Sequence, residues 1–247
     1  MPSSEHDLTY GNANSAETLS KGLSYGGTTK LLYEAIPKII SKLQPIPGKV
    51  LDFGCGTGYS TRILKQCGLE TIGVDTSPQM LQQARILDPT GEYEQIERTI
   101  LPFAGYYFPL VFSSLVFLEM TNREELAEAF SEIAMVLADK GIFVMCTVSP
   151  ELADPKHKWL SIDNNYPENS KLFSGKKYML LIKDFNLELI GYHWSADDYL
   201  TIARQSGFLC LEMIRPIAKD LPNSSSVPWL SEKTVAPFII YVFKKTK

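Results

Sequence analysis

The stretch Val50-Leu51-Asp52-Phe53-Gly54-Cys55-Gly56-Thr57-Gly58 decides the expected fold. It is a short apolar run that ends in a turn with glycine at every second position, which is typical of a buried strand leading into a ligand-binding turn. Glycines adopt unusual backbone dihedral angles and carry no Cβ atom to hold a ligand away from the backbone. We therefore expect a ligand at the carboxyl end of this strand.

A second signal is Asp75, which ends the next predicted strand, 21 residues after Gly54. An acidic side chain at this place can accept hydrogen bonds from both hydroxyl groups of a ribose. The glycine turn and Asp75 together predict an adenosine-containing ligand at the carboxyl ends of the strands.

The spacing of the glycines indicates which ligand. A dinucleotide fingerprint reads G-x-G-x-x-G and rests a pyrophosphate on a helix N-terminus, whereas this turn reads G-x-G-x-G and has Asp52 two residues before its first glycine. A carboxylate repels a pyrophosphate, and the turn contains no Lys or Arg. The pattern favours a ligand with positive charge, such as an ammonium or a sulfonium, over NAD.

Periodicity predicts the organisation around this turn. Strands and helices alternate, which predicts a parallel sheet with helices on both faces. A hairpin and a further helix with two strands follow residue 150. The predicted helices are 28–43, 59–67, one that opens at Ser77-Pro78, 123–137 and 195–205; the predicted strands are 49–53, 71–74, 93–96, 110–115, 141–148, 178–182, 187–192, 208–214 and 238–243.

The composition narrows the class of protein. The 247 residues carry 24 basic and 28 acidic side chains, a net charge of −4 that gives no hint of a nucleic-acid partner. The four cysteines form no C-x-x-C pair and lie at no zinc spacing, so no metal is expected. The longest apolar stretches, 108–118 and 235–243, are shorter than the roughly 20 residues of a membrane span. With a polar start, the chain is expected to be cytoplasmic, with no membrane span.

Asp52 to Gly58 resembles the first motif of class I S-adenosylmethionine (SAM)-dependent methyltransferases. Residues 73–81, Gly-Val-Asp-Thr-Ser-Pro-Gln-Met-Leu, resemble the following segment of the small-molecule branch (methyltransferase type 11), whose best-known members methylate ubiquinone precursors. Residues 101–103, 112–118, 193–199 and 207–208 are similar to later segments of that branch.

The resemblance implies the fold and its division. It implies an α/β fold with a Rossmann-like, doubly wound, seven-stranded sheet whose last strand is antiparallel, a small β-hairpin insertion and an N-terminal helical lid. Residues 1–27 would form a flexible lid, and 28–247 the SAM-binding domain. Residues 151–192 would form a substrate-covering insertion, in which Trp159, Tyr166, Phe173, Tyr178 and Trp194 just beyond it are candidates to shape a pocket.

The resemblance also implies roles for single residues. The glycine turn would line the methionine part of SAM with Asp52 near its amino group, Asp75 would hold the ribose, and Thr76 and Met80 would flank the adenine. Glu97-Arg98 stands where the family usually has Asp-Ala beside the adenine amino group, and Glu119 stands where it usually has His. The implied cofactor-binding residues are Tyr25, Asp52, Gly54, Cys55, Gly56, Gly58, Asp75, Thr76, Met80, Glu97, Arg98 and Ser114, with Tyr10 beside Tyr25 in the lid.

Two side chains are candidates for a general base. His193 precedes the last predicted helix and can titrate near neutrality; its alternative role is to cap that helix or to pack against Trp194. Glu119 is a second candidate, as a base or as the partner of an amine, and its alternative is a surface carboxylate at the start of the next helix.

The expected function is transfer of a methyl group from SAM to an oxygen, nitrogen or carbon atom of a small molecule, by a monomer or homodimer. The common DNA and RNA amino-methyltransferases carry Asp/Asn-Pro-Pro-aromatic after the fourth strand, where this chain reads Ser113-Ser114-Leu115-Val116, so DNA is not an expected partner. A tRNA- or protein-modifying methyltransferase and a SAM-binding protein without transferase activity remain the alternatives.

Overall fold

The apolar runs form two sheets in the computed structural model, which describes residues 27–103, 108–221 and 226–246. Seven strands are ordered β3-β2-β1-β4-β5-β10-β9, and β6, β7 and β8 form a separate sheet. The strands are β1 (Val50–Phe53), β2 (Thr71–Asp75), β3 (Glu92–Gln95), β4 (Phe108–Ser114), β5 (Leu137–Val148), β6 (Ile162–Asp163), β7 (Lys176–Ile182), β8 (Leu187–His193), β9 (Phe208–Ile214) and β10 (Phe238–Lys245).

The strand directions confirm the expected topology. β3, β2, β1, β4 and β5 are mutually parallel, and β10 is antiparallel to both of its neighbours, β5 and β9. The order changes direction between β1 and β4, so the loops after these strands diverge and open a crevice at their carboxyl ends.

Helices cover both faces of the large sheet. They are α1 (Lys30–Tyr33), α2 (Ile36–Leu43), α3 (Tyr59–Gln66), α4 (Pro78–Leu87), α5 (Arg123–Val136), α6 (Pro150–Ala153) and α7 (Ala196–Gln205). Neighbouring strand residues belong to opposite sides: Leu51 packs in the core beneath α5 and α7, and Val50 in the core beneath α1, α2 and α3. This alternation explains why the central strands read as continuous apolar runs.

The helix predicted over 28–43 is two helices, because of Pro37. Proline has no N–H to donate to the carbonyl four residues earlier, so α1 ends at Tyr33, Glu34 and Ala35 form a turn, and Pro37 stands in the first turn of α2. β5 starts at Leu137, four residues before the predicted strand. In the part of the chain that the structure describes, no helix is long and apolar enough to cross a membrane.

The insertion contains the predicted hairpin and one strand more. β7 and β8 pair in antiparallel fashion with Tyr178 opposite Gly191 and Leu180 opposite Leu189, and the two-residue strand β6 adds to β7. We call β6, β7 and β8 the insertion sheet. Its extra strand is too short to give an alternating pattern in the sequence.

A buried glutamate joins the insertion to the start of the described chain and to the segment that precedes β10. Glu232 is fully buried, and its carboxylate accepts hydrogen bonds from the Thr28 hydroxyl at 2.8 Å, the Leu160 N–H at 2.7 Å and the Leu230 N–H at 3.0 Å. Hydrogen bonds to a charged acceptor are stronger than those between neutral groups. Glu232 therefore fixes where the insertion leaves the domain.

We expect Glu232→Ala to lower the free energy of unfolding by about 3 kcal/mol, because it leaves buried donors without an acceptor. For a domain of this size the melting temperature should fall by roughly 6–12 °C. The exposed neighbour Lys233 provides the control, since Lys233→Ala should stay within about 0.5 kcal/mol. Thermal unfolding of both variants checks this, and equal melting temperatures would contradict the role of Glu232.

Candidate active site

The glycine loop, residues 54–58, is held against the neighbouring strand by backbone hydrogen bonds. The N–H groups of Gly54 and Cys55 both donate to the Val74 carbonyl, at 2.8 and 2.9 Å. Gly54, Gly56 and Gly58 all have positive φ, at 70°, 53° and 74°. These are dihedral angles that side chains rarely allow, so the three glycines make the sharp reversal between β1 and α3 possible.

Two of these glycines are also required by close approach. A Cβ atom on Gly54 would lie 2.1 Å from Cγ2 of Val116, and one on Gly58 would lie 2.6 Å from the Tyr93 hydroxyl oxygen. A Cβ atom on Gly56 would meet nothing within 4 Å. Gly56 therefore faces open space in the site, while Gly54 and Gly58 fit the loop to the surrounding protein.

Asp75 is fixed by the loop that it faces. Its Oδ2 accepts a hydrogen bond from the Gly56 N–H at 2.7 Å, and its Oδ1 accepts one from the Ser77 N–H at 2.9 Å. Ser77 in turn caps α4 by accepting from the Met80 N–H. The carboxylate is thus oriented at the carboxyl end of β2, between two loops.

Asp52 lies behind the loop. It is fully buried on β1, and its Oδ2 accepts from the hydroxyl groups of Ser60 at 2.7 Å and Thr61 at 2.6 Å. Within the described residues its Oδ1 has no hydrogen-bond partner. Asp52 is therefore a buried carboxylate beneath the glycine loop and does not line the cavity described next.

A cavity of about 830 Å³ opens above the loop, at the upper end of the usual range for small-molecule sites. One side is formed by the turns after β1, β2 and β3, and the other by the insertion sheet together with the ends of β5 and β10. The side near β1, β2 and β3 includes Gly54, Cys55, Gly56, Thr57, Tyr59, Ser60, Asp75, Thr76, Ser77, Gln79, Met80, Ile96, Arg98 and Thr99.

The cavity brings together most of the residues expected from the sequence. Gly54, Cys55, Gly56, Asp75, Thr76, Met80, Arg98, Ser114 and Glu119 line it. Gly58, Asp52, Glu97 and His193 are not among the described lining residues. Tyr10 and Tyr25 lie outside the described residues.

Glu97 points away from the cavity because of the turn that follows β3. Glu97 is exposed and forms a bridge with Ile100, and Arg98 between them has a positive φ of 55°. Its neighbours Ile96, Arg98 and Thr99 line the cavity. The adenine-binding role of Glu97 remains a prediction, and it is the neighbours of Glu97 in this turn that line the cavity.

His193 lies at the end of β8 and is only 9% exposed. Its burial lowers the pKa of the imidazole, which outweighs the opposite effect of Asp198 and Glu151. The cavity is lined by the preceding β8 residues Leu189, Ile190 and Gly191 instead. The structure therefore does not bring His193 together with the other candidates, whereas Glu119, on the 3₁₀ turn after β4, does line the cavity.

Some site residues carried no signal in the sequence. Tyr33 on α1 lines the cavity, packs edge-on against Tyr59 with 4.7 Å between ring centroids, and accepts a 3.4 Å hydrogen bond from the Ser114 hydroxyl. Of the aromatic residues singled out in and beside the insertion, Tyr178 lines the cavity, and the other four are not among the described lining residues. Tyr33 is brought to the site by packing of distant segments, which no local pattern reveals.

No group of three or more His, Cys, Asp or Glu side chains in the described ranges is arranged to hold a metal ion. Cys55 and Cys146 are buried thiols whose pKa burial raises well above the ordinary value.

Comparison with known proteins gives a family match over the part of the chain that builds the glycine loop and Asp75. The family "Methyltransferase domain" matches residues 50–141. An uncharacterized methyltransferase of Synechocystis is 36% identical over 124 residues, 50% of this chain and 56% of the relative. A malonyl-[acyl-carrier protein] O-methyltransferase of Halorhodospira halophila is 31% identical over 147 residues, 56% of this chain and 49% of the relative. The chain thus spans about half the length of the curated relatives that it matches.

Solved structures share the fold over almost the whole chain. An S-adenosylmethionine-dependent methyltransferase from Clostridium acetobutylicum has a TM-score of 0.67 at 16% identity and covers 95% of this chain and 98% of its own. A putative S-adenosylmethionine-dependent methyltransferase from Listeria monocytogenes has a TM-score of 0.62 at 20% identity and covers 88% and 100%. Residues 50–141 therefore match a methyltransferase domain, and the chain shares the fold of these S-adenosylmethionine-dependent methyltransferase structures.

Proposed function

We propose that this protein transfers a methyl group from SAM to a small-molecule acceptor. The observation that carries the proposal is the cavity itself, in which the glycine loop and Asp75 form one side and a separate apolar surface forms the other. A site for two ligands side by side is what a transfer reaction requires. A protein that only bound SAM would have no need of the second, apolar side.

The residues present fit SAM. Gly56 leaves its side of the loop open where a Cβ atom would meet nothing within 4 Å, and Asp75 is already oriented by the Gly56 and Ser77 N–H groups. Asp75 would hold the ribose, and Met80 and Ile96 offer apolar surface for a flat base. When bound, SAM supplies a methyl group that its positively charged sulfur has already activated.

The charge of the loop favours such a cation. Burial raises the pKa of Asp52 to about 6 against the lowering effect of its hydrogen bonds from Thr61 and Ser60, and the nearby negative charge of Asp75 adds to the rise. The loop itself contributes no Lys or Arg. At neutral pH two carboxylates therefore face the loop, an arrangement that attracts an ammonium or sulfonium and repels a pyrophosphate.

The remaining catalytic tasks fall to side chains around the cavity. Displacement at the methyl carbon requires the acceptor atom to be held close and in line, in a site closed to water. Tyr33, Leu118 and the insertion sheet would position the acceptor and exclude water, and Glu119 would take a proton from an acceptor that carries one. His193 has no place in this arrangement.

The acceptor named for several relatives, a malonyl-[acyl-carrier protein], is not carried over to this chain. The match with those relatives covers about half of their length. The insertion sheet, which forms much of the acceptor side, lies outside the residues 50–141 that match the family.

Calorimetric titration with SAM and S-adenosylhomocysteine, with NAD as control, tests the cofactor. We expect micromolar binding of the first two and none of NAD. Transfer of a radioactive methyl group from SAM to a small-molecule extract, bulk tRNA or a protein fraction then tests the acceptor class. Labelling of small molecules alone would support the proposal; labelling of tRNA or protein would replace it, and binding without any transfer would indicate a SAM-binding protein.

Asp75→Ala should weaken SAM binding by about 1–3 kcal/mol, roughly 5- to 150-fold, because buried ligand hydroxyls lose a charged acceptor. Glu94→Ala is the matched control, since Glu94 is exposed and does not line the cavity. Calorimetry should show an almost unchanged affinity for this variant. No loss with Asp75→Ala, or an equal loss with Glu94→Ala, would contradict the ribose-binding role of Asp75.

Asp52→Asn should make the protein more stable and SAM binding weaker. The pKa of Asp52 is raised to about 6 in the folded state, above its unfolded value of about 3.9, so the folded state holds the proton more tightly. Its contribution is therefore fully present below about pH 4 and is lost as the pH rises through 6, a difference of about 3 kcal/mol.

Melting temperatures between pH 4 and 8 test this. The variant should melt several degrees above the unsubstituted protein at pH 7.5, and the two should converge near pH 4. The exposed Asp139 provides a control, because Asp139→Asn should leave the pH profile unchanged. Parallel profiles for the Asp52→Asn variant and the unsubstituted protein would contradict a buried, ionised Asp52.

A further inference from the structure

The middle of one face of the insertion sheet is turned toward the cavity. Side chains on a strand alternate between its two faces, and Tyr178, Leu180 and Ile182, at every second position of β7, all line the cavity. Their neighbours on the same face are Leu189 and Gly191 across on β8 and Ile162 on β6. No charged side chain stands on this face between Tyr178 and Ile182.

The other walls of this part of the cavity are also apolar. Leu152 of α6, Val148 at the end of β5 and Phe238 at the start of β10 line it. Leu152, Leu180, Ile162 and Phe238 are buried in the same core cluster. We call this part of the cavity the apolar half.

Among the described residues that line the apolar half, none is a Lys, Arg or His. Lys176 and His193 form the next pair along this face of β7 and β8, and neither lines the cavity. Arg98 is the one Lys, Arg or His side chain among the described residues that line the cavity. Arg98 follows β3. Four strand-to-strand spacings separate β3 from β5 in the sheet, a distance of roughly 19 Å at the usual spacing of about 4.8 Å. The ionisable group beside the apolar half is an acid, Glu119, whose charge acts on the hydroxyl of Tyr178. A buried carboxylate ligand needs a cationic partner to offset its desolvation, and the described walls offer none here.

Tyr178 lines the apolar half, and the absence of a side chain at Gly191 makes room for its ring. The two residues are paired across β7 and β8, and a Cβ atom on Gly191 would lie 2.4 Å from the Tyr178 hydroxyl oxygen. The ring therefore lies over Gly191, which leaves room for its hydroxyl end. A methyl group at residue 191 must displace the Tyr178 ring. Because Tyr178 lines the cavity, a displaced ring changes the space that is open to a ligand.

We propose that the acceptor is an apolar molecule without an anionic group, held on the cavity face of β7 and β8, and that the Tyr178–Gly191 pair limits its size. This deepens the proposed function and rests on it. The proposal excludes carboxylate acceptors, because the described residues that line the apolar half include no cationic side chain to pair with a carboxylate. Leu180 and Gly191 become specificity-determining residues that play no part in holding SAM.

The experiment uses the full chain saturated with S-adenosylhomocysteine and the uncharged fluorophore Nile red. Octan-1-ol and octanoate, which share one alkyl chain and differ in charge, compete for the fluorophore at pH 7.5. We expect octan-1-ol to displace it at a concentration at least tenfold lower than octanoate. Displacement by octanoate at the same concentration would overturn the proposal.

Three variants locate the binding. Leu180→Asn should weaken octan-1-ol binding at least tenfold, whereas Leu181→Asn, on the opposite face of the same strand, should change it less than twofold. Gly191→Ala should weaken it about tenfold through the displaced Tyr178 ring, and it adds a methyl group where φ is unexceptional, so folding should persist. Equal effects of Leu180→Asn and Leu181→Asn, or no effect of Gly191→Ala, would place the probe elsewhere and overturn the proposal.

Calorimetric titration of each variant with S-adenosylhomocysteine separates the two proposals. Unchanged affinity in all three variants is expected, because none of these residues belongs to the glycine loop or to Asp75. If the unsubstituted protein fails to bind S-adenosylhomocysteine, the proposed function fails. If it binds and the alcohol shows no preference over octanoate, only the acceptor class fails.

Discussion

The site depends on the hydrogen bonds that hold the loop after β1 to the end of β2. Val74 accepts from the N–H groups of Gly54 and Cys55, and the Asp75 carboxylate accepts from the N–H of Gly56. These bonds continue the parallel pairing of β1 and β2 past the end of β1, so the turn is anchored to the sheet. The loop reverses sharply to enter α3, and three glycines with positive φ permit this reversal. A ligand that meets this loop meets a surface that is already in position, which avoids the entropy cost of ordering it.

Asp52 shows what this arrangement costs. A carboxylate buried on a central strand is desolvated, and the hydroxyl groups of Ser60 and Thr61 compensate on one oxygen only. We expect an asparagine to be more stable at this place at neutral pH, because its amide oxygen can still accept from these hydroxyl groups without a desolvated charge. Groups with strongly shifted pKa values cluster at functional sites, and for this reason we propose an electrostatic role for Asp52 beneath a loop that contains no Lys or Arg.

Much of the fold could be predicted from the sequence, because the signals are local. The glycine turn, the alternation of strands and helices, and the hairpin at 178–192 all depend on neighbouring residues, and the structure confirms them. The single helix predicted over 28–43 was wrong, since the effect of Pro37 on hydrogen bonding outweighed the apolar periodicity. The sequence also predicted that Gly54, Asp75 and Met80 lie at the site, because these residues belong to short local patterns. Tyr33 was not, because its place depends on the packing of α1 against α3 and β4, which no short pattern encodes.

The two sides of the cavity therefore differ in how they are encoded. The side formed by the turns after β1 and β2 comes from one continuous segment, residues 54–80, within the 50–141 shared with the family. The apolar half is assembled from β5, α6, the insertion sheet and β10, which are separated by tens of residues and lie mostly beyond the shared segment. Within the insertion, Leu180 lines the cavity and Leu181, on the opposite face of the same strand, is not among the described lining residues. For this reason the family match identifies the cofactor side of the reaction, and the acceptor has to be inferred from the side chains of the insertion itself.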